Sequence, residues 1–246
     1  MPAAARPLVI VKVGDTHPEL AATQGDFEHW ILRGLGDTTL PVVVLDPRRG
    51  DTLPAPEATA GAMVTGSHAM VSHREAWSEA TGRWLANAAR AGVPVLGICY
   101  GHQLLADALG GQADDHPQGL EIGTVSIDRL PAAVDDPLFQ YLPAHFDAQV
   151  VHRQSALQLP PGAVRLAANA WEPNQAFRVG ERAWGVQFHP EFDERAMRAY
   201  VDRFAGELPD ADTLRARVRP TPAAAGLLPR FAAIAEAREA AFAAAA

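Results

Sequence analysis

The stretch VPVLGICYGHQLLADALGG, residues 93–111, joins a run of branched apolar residues to a segment with helical periodicity. Residues 93–99 are typical of a buried strand and residues 103–109 of a helix, with only a short turn between them. A strand that passes directly into a helix is the repeating unit of a parallel sheet covered by helices. Cys99, the single cysteine of the 246 residues, stands at this junction, with a glycine two positions before it and another two positions after it.

Other segments of the first half repeat this pattern. Apolar runs predict buried strands at residues 7–14, 40–46 and 61–66, and a helical segment covers residues 75–90. After Gly111, strand-like runs follow one another with turn residues and leave little room for crossover helices. They are residues 121–128, 147–153, 164–169, 175–180 and 183–189. We therefore predict an α/β fold with a mixed, mainly parallel sheet flanked by helices, to which the second half adds antiparallel strands.

The last part of the chain is predicted to be helical. A helix resumes at Asp193 and continues to about Glu207, and an Ala-rich segment follows it. The large apolar residues of that segment recur at roughly helical intervals, at Leu227, Phe231, Ile234 and Phe242. We expect an amphipathic helix that docks on the body or on a neighbouring subunit. The predicted organisation is a single α/β domain at residues 1–210 and a helical extension at residues 211–246.

The composition excludes several function classes. With 21 basic and 29 acidic residues, a formal net charge of −8 and no block of Lys and Arg, the chain lacks the basic surface of a nucleic-acid or anionic-membrane binder. We expect partners that are small molecules or proteins, further copies of this chain among them. A single cysteine forms no internal disulfide, and neither a signal peptide nor an apolar run of about 20 residues is evident. A reducing cytoplasm is therefore the expected location.

The pentapeptide Gly97-Ile98-Cys99-Tyr100-Gly101 has the G-x-nucleophile-x-G pattern of a nucleophile elbow. In such an elbow the chain turns so sharply from strand to helix that flanking side chains would collide, and the two glycines remove them. The sulfur of Cys99 would lie at the start of a helix, where oriented N–H groups favour a thiolate. An isolated cysteine is also commonly a buried structural residue, and the pentapeptide alone does not distinguish the two roles.

A thiolate nucleophile needs a base, and His189 in AWGVQFHPEF is the leading candidate. Pro190 biases His189 toward extended backbone, in which residues two apart project to the same side, so Glu191 could orient the imidazole. A surface His and Glu in a loop would give the same pattern. His102 is nearer to Cys99 in sequence, but on an elbow helix it should be a structural residue.

The neighbours of Cys99 also suggest how an oxyanion and a substrate could be held. The backbone N–H of Tyr100 is one candidate oxyanion donor, and the loop at Gly66 could supply another. A plain strand-ending turn explains Gly66 equally well. Gln103 lies four residues after Cys99, and therefore on the same face of the predicted helix.

These residues resemble the class I, or triad, glutamine amidotransferases, and in particular stand-alone members similar to the amidotransferase domain of GMP synthase. The resemblance covers roughly residues 40–205, with the motifs in the order of the family, and the elbow together with FHPE is highly specific. The motifs are VTGSHAMVSHREAW, PVLGICYGHQLLADALGG, VVHRQSALQLPPGA, LAAN, QAFRVG and WGVQFHPEF.

The resemblance implies a catalytic triad of Cys99, His189 and Glu191 and an oxyanion hole at Gly66 and Tyr100. It also implies that Gln103 lies in the glutamine pocket and that the segment around His152 holds the substrate's α-amino and α-carboxylate groups. Two positions depart from the family. Thr65 precedes Gly66 where many members have a second glycine, and Gln154 stands where an acidic residue is usual.

Several functions fit these residues. Hydrolysis of glutamine through a γ-glutamyl thioester would release ammonia for a synthetase partner, because the chain has no Gly-rich nucleotide loop of its own. A γ-glutamyl peptidase acting on glutathione-like peptides would use the same triad, and Gln154 favours this alternative. A cysteine-dependent α/β-hydrolase with Asp147 as its acid, or a non-catalytic binding domain, fits less well.

No cofactor or metal is expected. His68 with His73, or His189 with Glu191, could be considered as ligands, but neither pair has the helical i, i+4 spacing or the finger spacing of a metal site.

Overall fold

The computed structural model describes residues 5–245 and is built on a nine-stranded sheet. The strands in chain order are β1 (Leu8–Val11), β2 (Val42–Leu45), β3 (Gly61–Val64), β4 (Val95–Ile98), β5 (Gln112–Asp115), β6 (Glu121–Arg129), β7 (His145–His152), β8 (Gln154–Gln158), β9 (Val164–Ala168), β10 (Ala176–Val179) and β11 (Ala183–Val186). The helices are α1 (Pro18–Gln24), α2 (Phe27–Gly34), α3 (Ala76–Arg90), α4 (Tyr100–Ala108), α5 (Glu194–Arg203), α6 (Ala211–Arg217), α7 (Pro222–Ala225) and α8 (Leu227–Ala245).

The large sheet is mixed and mainly parallel, as predicted. Its strand order is β2-β1-β3-β4-β11-β10-β9-β6-β7, and the first five strands of this order are parallel to one another. The other four continue the sheet through antiparallel pairs. Strands β5 and β8, which the sequence patterns did not separate from their surroundings, form a small antiparallel sheet of their own.

The alternation of side chains along β1 explains how helices cover both faces of the sheet. All four residues of β1 are buried. Leu8 and Ile10 pack into one hydrophobic core together with residues of α2 and α8, whereas Val9 and Val11 pack into a second core with residues of α3 and α4. Successive strand residues point to opposite faces, so a wholly apolar strand indicates a sheet buried on both sides.

Strand β11 departs from the expectation that the second half adds only antiparallel strands. It is antiparallel to β10, but it is also parallel to β4, with Ile98 paired to Val186. The four residues of β11 are buried, and such a strand fits a parallel neighbour as well as an antiparallel one. The structure therefore brings the end of β11 beside Cys99.

The C-terminal helix α8 docks on the body of the protein. Leu227 and Phe231 are buried in the core that also contains residues of α2. Phe242 is 54% exposed, and the guanidinium carbon of Arg6 lies 3.6 Å from its ring centroid. The sequence predicted a domain at residues 1–210 and an extension at residues 211–246. Residues 1–4 of the first and residue 246 of the second lie outside the described part of the chain.

Within residues 5–245, no helix combines the length and apolar character needed to cross a membrane.

Candidate active site

Cys99 lies at the carboxyl end of β4, directly before the first residue of α4. Its backbone N–H donates to the carbonyl of Val186 at 2.8 Å, which joins it to the end of β11. Its φ of 51° lies in the left-handed region, which costs energy for a residue with a side chain and is common at functional sites. This is the backbone conformation of a nucleophile elbow.

The two flanking glycines are required by backbone contacts. A Cβ added at Gly97 would lie 2.2 Å from the carbonyl oxygen of Gly101, and a Cβ added at Gly101 would lie 2.7 Å from the carbonyl oxygen of Val64. Both distances are far inside van der Waals contact. The elbow therefore packs so tightly against itself and against β3 that neither position accepts a side chain.

We expect Gly97→Ala to destabilise the protein by about 1–3 kcal/mol, since the added methyl group forces backbone atoms apart. Unfolding in urea, followed by circular dichroism, measures this loss. Gly206→Ala is the matched control, because a Cβ at Gly206 meets nothing within 4 Å, and it should change stability by less than about 0.5 kcal/mol. Equal stability of the two variants would contradict the tight elbow.

His189 and Glu191 form a buried hydrogen-bonded pair. The Nδ1 atom of His189 lies 2.7 Å from Oε1 of Glu191, and the residues are 2% and 8% exposed. The backbone that brings His189 to Glu191 differs from the extended segment expected from the sequence. The N–H of Phe192 donates to the carbonyl of His189 at 3.3 Å, so these residues form a turn and not an extended segment. The N–H of His189 donates to the carbonyl of Gln149 at 2.8 Å, which anchors the turn to β7.

This pairing determines the charge of His189. Burial disfavours the imidazolium, but the charges of Glu191 and Cys99 outweigh burial and raise the pKa of His189 to about 10. The imidazole is therefore protonated at neutral pH. Its Nε2 atom is buried and has no hydrogen-bond partner within the described residues.

Glu191→Gln should lower the pKa of His189, because the neutral amide no longer offsets the cost of burying a cation. Histidine ring resonances followed by NMR across pH 5–11 would report the change. Glu194→Gln, three residues further along the chain at the first position of α5, serves as the control and should leave the titration in place. An unchanged pKa of His189 in Glu191→Gln would show that the carboxylate does not stabilise the imidazolium.

Gly66 lies between the cysteine and the histidine. A Cβ added there would be 3.0 Å from Cε1 of His189 and 3.9 Å from Cβ of Cys99. The loop that carries Gly66 passes directly against Gly14, where an added Cβ would lie 2.5 Å from the Gly66 carbonyl oxygen, so only glycine permits this approach. The contribution of Gly14 was not evident from the sequence, because nothing in the local pattern shows that the end of β1 touches this loop.

Tyr100 presents its backbone N–H to this region, whereas its side chain lies elsewhere. As the first residue of α4 it has no acceptor for its N–H within its own helix. Its ring turns away from the site, and its hydroxyl lies 2.6 Å from that of Ser78.

Gln103, His152 and Gln154 form a hydrogen-bonded group beside Cys99. The amide of Gln103 donates to the backbone carbonyl of Gln154 at 2.7 Å, and Nδ1 of His152 lies 3.0 Å from the same oxygen. The other ring nitrogen of His152 lies 2.8 Å from the carboxylate of Glu121. The side chain of Gln154 donates to Ser72 and Asp115. These contacts fix the end of β7, where the carbonyl oxygen of Val151 lies 3.7 Å from the sulfur of Cys99.

A cavity of about 470 Å³ brings these residues together. Of the side chains considered from the sequence, Cys99, Gln103, His152, Gln154, His189 and His68 line it. The sequence did not indicate several further lining residues, namely His17, Phe27, Arg153, Tyr200, Arg203 and Glu207. They come from the segment after β1, the start of α2, the end of β7 and the end of α5, and no local motif marks them.

Two rival residues lie elsewhere. His102 is fully buried on α4, with its ring 4.8 Å from that of Phe177, and burial lowers its pKa to about 3. Asp147, the alternative acid, binds the guanidinium of Arg219 at 2.7 and 2.8 Å. The histidine beside Cys99 is therefore His189, and its carboxylate partner is Glu191.

Within residues 5–245, no three His, Cys, Asp or Glu side chains are grouped so that they could hold a metal ion.

Comparison with known sequences gives a family for most of the chain. Residues 22–206 match the family model described as glutamine amidotransferase class-I. The GMP synthase (glutamine-hydrolyzing) of Aeropyrum pernix is 33% identical over 172 residues, which are 68% of this chain and 31% of that protein. The GMP synthase of Thermomicrobium roseum is 44% identical over 100 residues, which are 41% of this chain and 18% of that protein. The chain thus spans less than a third of the length of these curated relatives.

Solved structures show the same fold. A glutamine amidotransferase from Thermotoga maritima superposes with a TM-score of 0.71 at 22% identity, over 93% of this chain and 98% of that one. A glutamine amido transferase from Methylobacillus flagellatus gives a TM-score of 0.67 at 24% identity, over 97% and 95% of the two chains.

Proposed function

The chain belongs to the class I glutamine amidotransferase family, and from this premise we propose that it hydrolyses a γ-glutamyl amide through Cys99, His189 and Glu191. The reaction releases glutamate together with ammonia, if glutamine is the substrate, or with an amine. Gly66 and Tyr100 form the oxyanion hole, and Gln103 and His152 contribute to the substrate pocket.

One observation carries this proposal. Cys99 stands at positive φ at the start of a helix, and His189, whose Nδ1 lies 2.7 Å from the buried carboxylate of Glu191, lines the same cavity as Cys99. A strained cysteine beside a protonated histidine that is oriented by a carboxylate has the arrangement of an activated nucleophile, base and orienting group. A structural cysteine requires neither the strain nor the pair.

The first half of the reaction forms a thioester. The Cys99 thiolate attacks the γ-carbonyl carbon, a C–S bond forms, and the carbonyl electron pair moves to oxygen. The N–H of Tyr100 and the loop at Gly66 stabilise this oxyanion, each donor contributing about 2.7–4 kcal/mol. The oxyanion then collapses, the C–N bond breaks, and the imidazolium of His189 gives its proton to the departing nitrogen.

The second half regenerates the enzyme. Neutral His189 takes a proton from water, and the resulting hydroxide attacks the thioester carbon. The C–S bond breaks, glutamate leaves, and the thiolate–imidazolium pair is restored. Glu191 keeps the imidazole in one orientation and stabilises its charge through both halves, without losing its own charge.

The group around Gln103 supports recognition of the glutamyl part. Gln103 and His152 are both buried, and both are held through the backbone carbonyl of Gln154. Such groups with fixed rotamers can bind a polar ligand without losing further side-chain entropy. Gln154 is neutral where the family usually has an acid, so it offers an amide and not a carboxylate to this end of the cavity.

A γ-glutamyl peptide is the second candidate substrate, and the size of the cavity favours it. A volume of about 470 Å³ lies in the range of sites that enclose ligands much larger than one amino acid. If glutamine is instead the substrate, the ammonia could serve a synthetase on another polypeptide. The relatives that match are GMP synthases, and this chain covers less than a third of their length.

In either case we propose residues 1–210 as the catalytic domain and residues 211–246 as its helical extension.

Glutamate release from the purified protein tests the proposed function. The protein would be incubated with glutamine and, separately, with γ-glutamyl peptides, with and without an extract of the source cells to supply a partner. Release from any of these compounds supports the proposal. Activity on glutamine that needs the extract indicates a partner-dependent amidotransferase, and no release under any condition would refute hydrolysis.

A further inference from the structure

The cavity is lined by two groups of side chains that approach the reacting residues from different sides. Gln103, His152 and Gln154 are tied to the segment that reaches the sulfur of Cys99 through Val151. A second group, His17, His68 and Tyr200, reaches His189 through aromatic neighbours. Phe27 lies 6.2 Å from the ring of His68 and 6.3 Å from that of His189, and Phe192 lies 5.1 Å from Tyr200 and 4.1 Å from His189, between ring centroids.

The position of His189 indicates how a substrate would be oriented in the cavity. In the proposed mechanism His189 gives its proton to the departing nitrogen, so the leaving amine must lie on the side of His189. The group His17, His68 and Tyr200 is on that side. The glutamyl part then lies toward Gln103 and His152.

The second group forms a wall of aromatic rings on this side of the cavity. The rings of His17 and His68 stack with centroids 4.5 Å apart, and Nε2 of His68 lies 3.1 Å from the Tyr200 hydroxyl, which lies 2.9 Å from that of Thr16. Burial, with smaller effects from His17 and His189, lowers the pKa of His68 to about 4. His68 is therefore neutral at pH 7. Aromatic and neutral imidazole rings provide apolar contact area for the body of a ligand.

The charges at the mouth of the cavity do not cancel. Arg153 is ion-paired with Glu207, and both line the cavity. Arg203 also lines it, but has no ion-pair partner among residues 5–245. Burial lowers the pKa of His17, and the guanidinium of Arg203 lowers it further, which shows that Arg203 faces this group. The nearby carboxylate of Glu19 acts on His17 in the opposite direction, but Glu19 does not line the cavity. Among the described residues, Arg203 is therefore the cavity-lining guanidinium without an ion-pair partner on the leaving-group side.

We propose that His17, His68, Tyr200 and Arg203 form a leaving-group subsite for an amine that carries a carboxylate, so that the preferred substrate is the γ-glutamyl derivative of an amino acid. This inference rests on the proposed function and specifies its substrate class. The body of the amino acid contacts the ring wall, and its carboxylate pairs with Arg203. When the C–N bond breaks, the amine takes the proton of His189 and leaves as a free amino acid.

A matched pair of substrates tests the role of the carboxylate. γ-Glutamylphenylalanine and γ-glutamyl-2-phenylethylamide differ only in that group, so the ratio of their kcat/KM values isolates it. We expect the wild-type protein to prefer the carboxylate by about fivefold at low salt, as for a solvent-exposed ion pair. The preference should shrink as salt is added, because salt screens exposed charges.

Two arginine variants then assign the effect to one residue. Arg203→Gln should remove the preference, whereas Arg195→Gln, an exposed position on the same helix that does not line the cavity, should retain it. Equal kcat/KM values in the wild-type protein, or a preference that survives in Arg203→Gln, would overturn the subsite.

Binding separates the subsite from the proposed reaction. Calorimetry on Cys99→Ala, which cannot form the thioester, measures the dissociation constants of the two compounds without turnover. Tighter binding of the carboxylate compound that depends on Arg203 supports the subsite even if neither compound is hydrolysed, an outcome that would refute the proposed function alone. Equal affinities refute the subsite and leave hydrolysis to be judged by glutamate release.

Discussion

Cys99→Ala is expected to reduce glutamate release by roughly 10⁴- to 10⁶-fold, because no other side chain at the elbow can form the acyl intermediate. The residual rate would come from the oxyanion donors and from binding. The substitution removes one sulfur atom from a site that is already 6% exposed, and alanine must adopt the same strained φ as cysteine. Its effect on stability should therefore be about 1 kcal/mol or less.

Steady-state glutamate release and thermal unfolding of the same preparations check this result. In the wild-type protein, iodoacetamide should label Cys99 faster than it labels free cysteine at neutral pH, because the neighbouring imidazolium stabilises the thiolate. Turnover that persists in a correctly folded Cys99→Ala protein would eliminate the cysteine mechanism and every role assigned through it.

His189→Asn should reduce the rate of the chemical step by about 10⁴-fold, since asparagine neither protonates the leaving nitrogen nor activates water. The variant also leaves the Glu191 carboxylate buried without its cationic partner, so some loss of stability is expected. A second effect is independent of substrate. Alkylation of Cys99 should slow, because the imidazolium no longer stabilises the thiolate.

His102→Asn is the comparison that makes this assignment specific. His102 is fully buried against Phe177 and does not line the cavity, so its replacement should lower stability but change the chemical step at most modestly. Single-turnover rates and the rate of Cys99 alkylation are measured for both variants under conditions where each is folded. If His102→Asn slowed the chemical step as much as His189→Asn, His189 could not be the sole base.

Local sequence was sufficient to predict the elbow and the strands that surround it. The glycines at 97 and 101 are demanded by contacts within one turn of chain and with one adjacent strand, so the pentapeptide carries the constraint. Buried parallel strands are apolar throughout, which makes β1, β3 and β4 recognisable as short runs without polar side chains. The contact between His189 and Glu191 was also predictable in outcome, because only Pro190 separates them, although the turn that forms it differs from the extended segment expected.

Tertiary structure alone decided which strands are neighbours and which distant side chains share the cavity. An apolar pattern states that β11 is buried on both faces, but it is satisfied equally by a parallel or an antiparallel partner. The parallel pairing of β11 with β4 is what brings His189 to Cys99. His17, Tyr200 and Arg203 meet in the cavity for the same kind of reason. His17 follows β1, whereas Tyr200 and Arg203 are on α5, more than 180 residues later. Their meeting depends on the packing of whole elements, which no short stretch of sequence encodes.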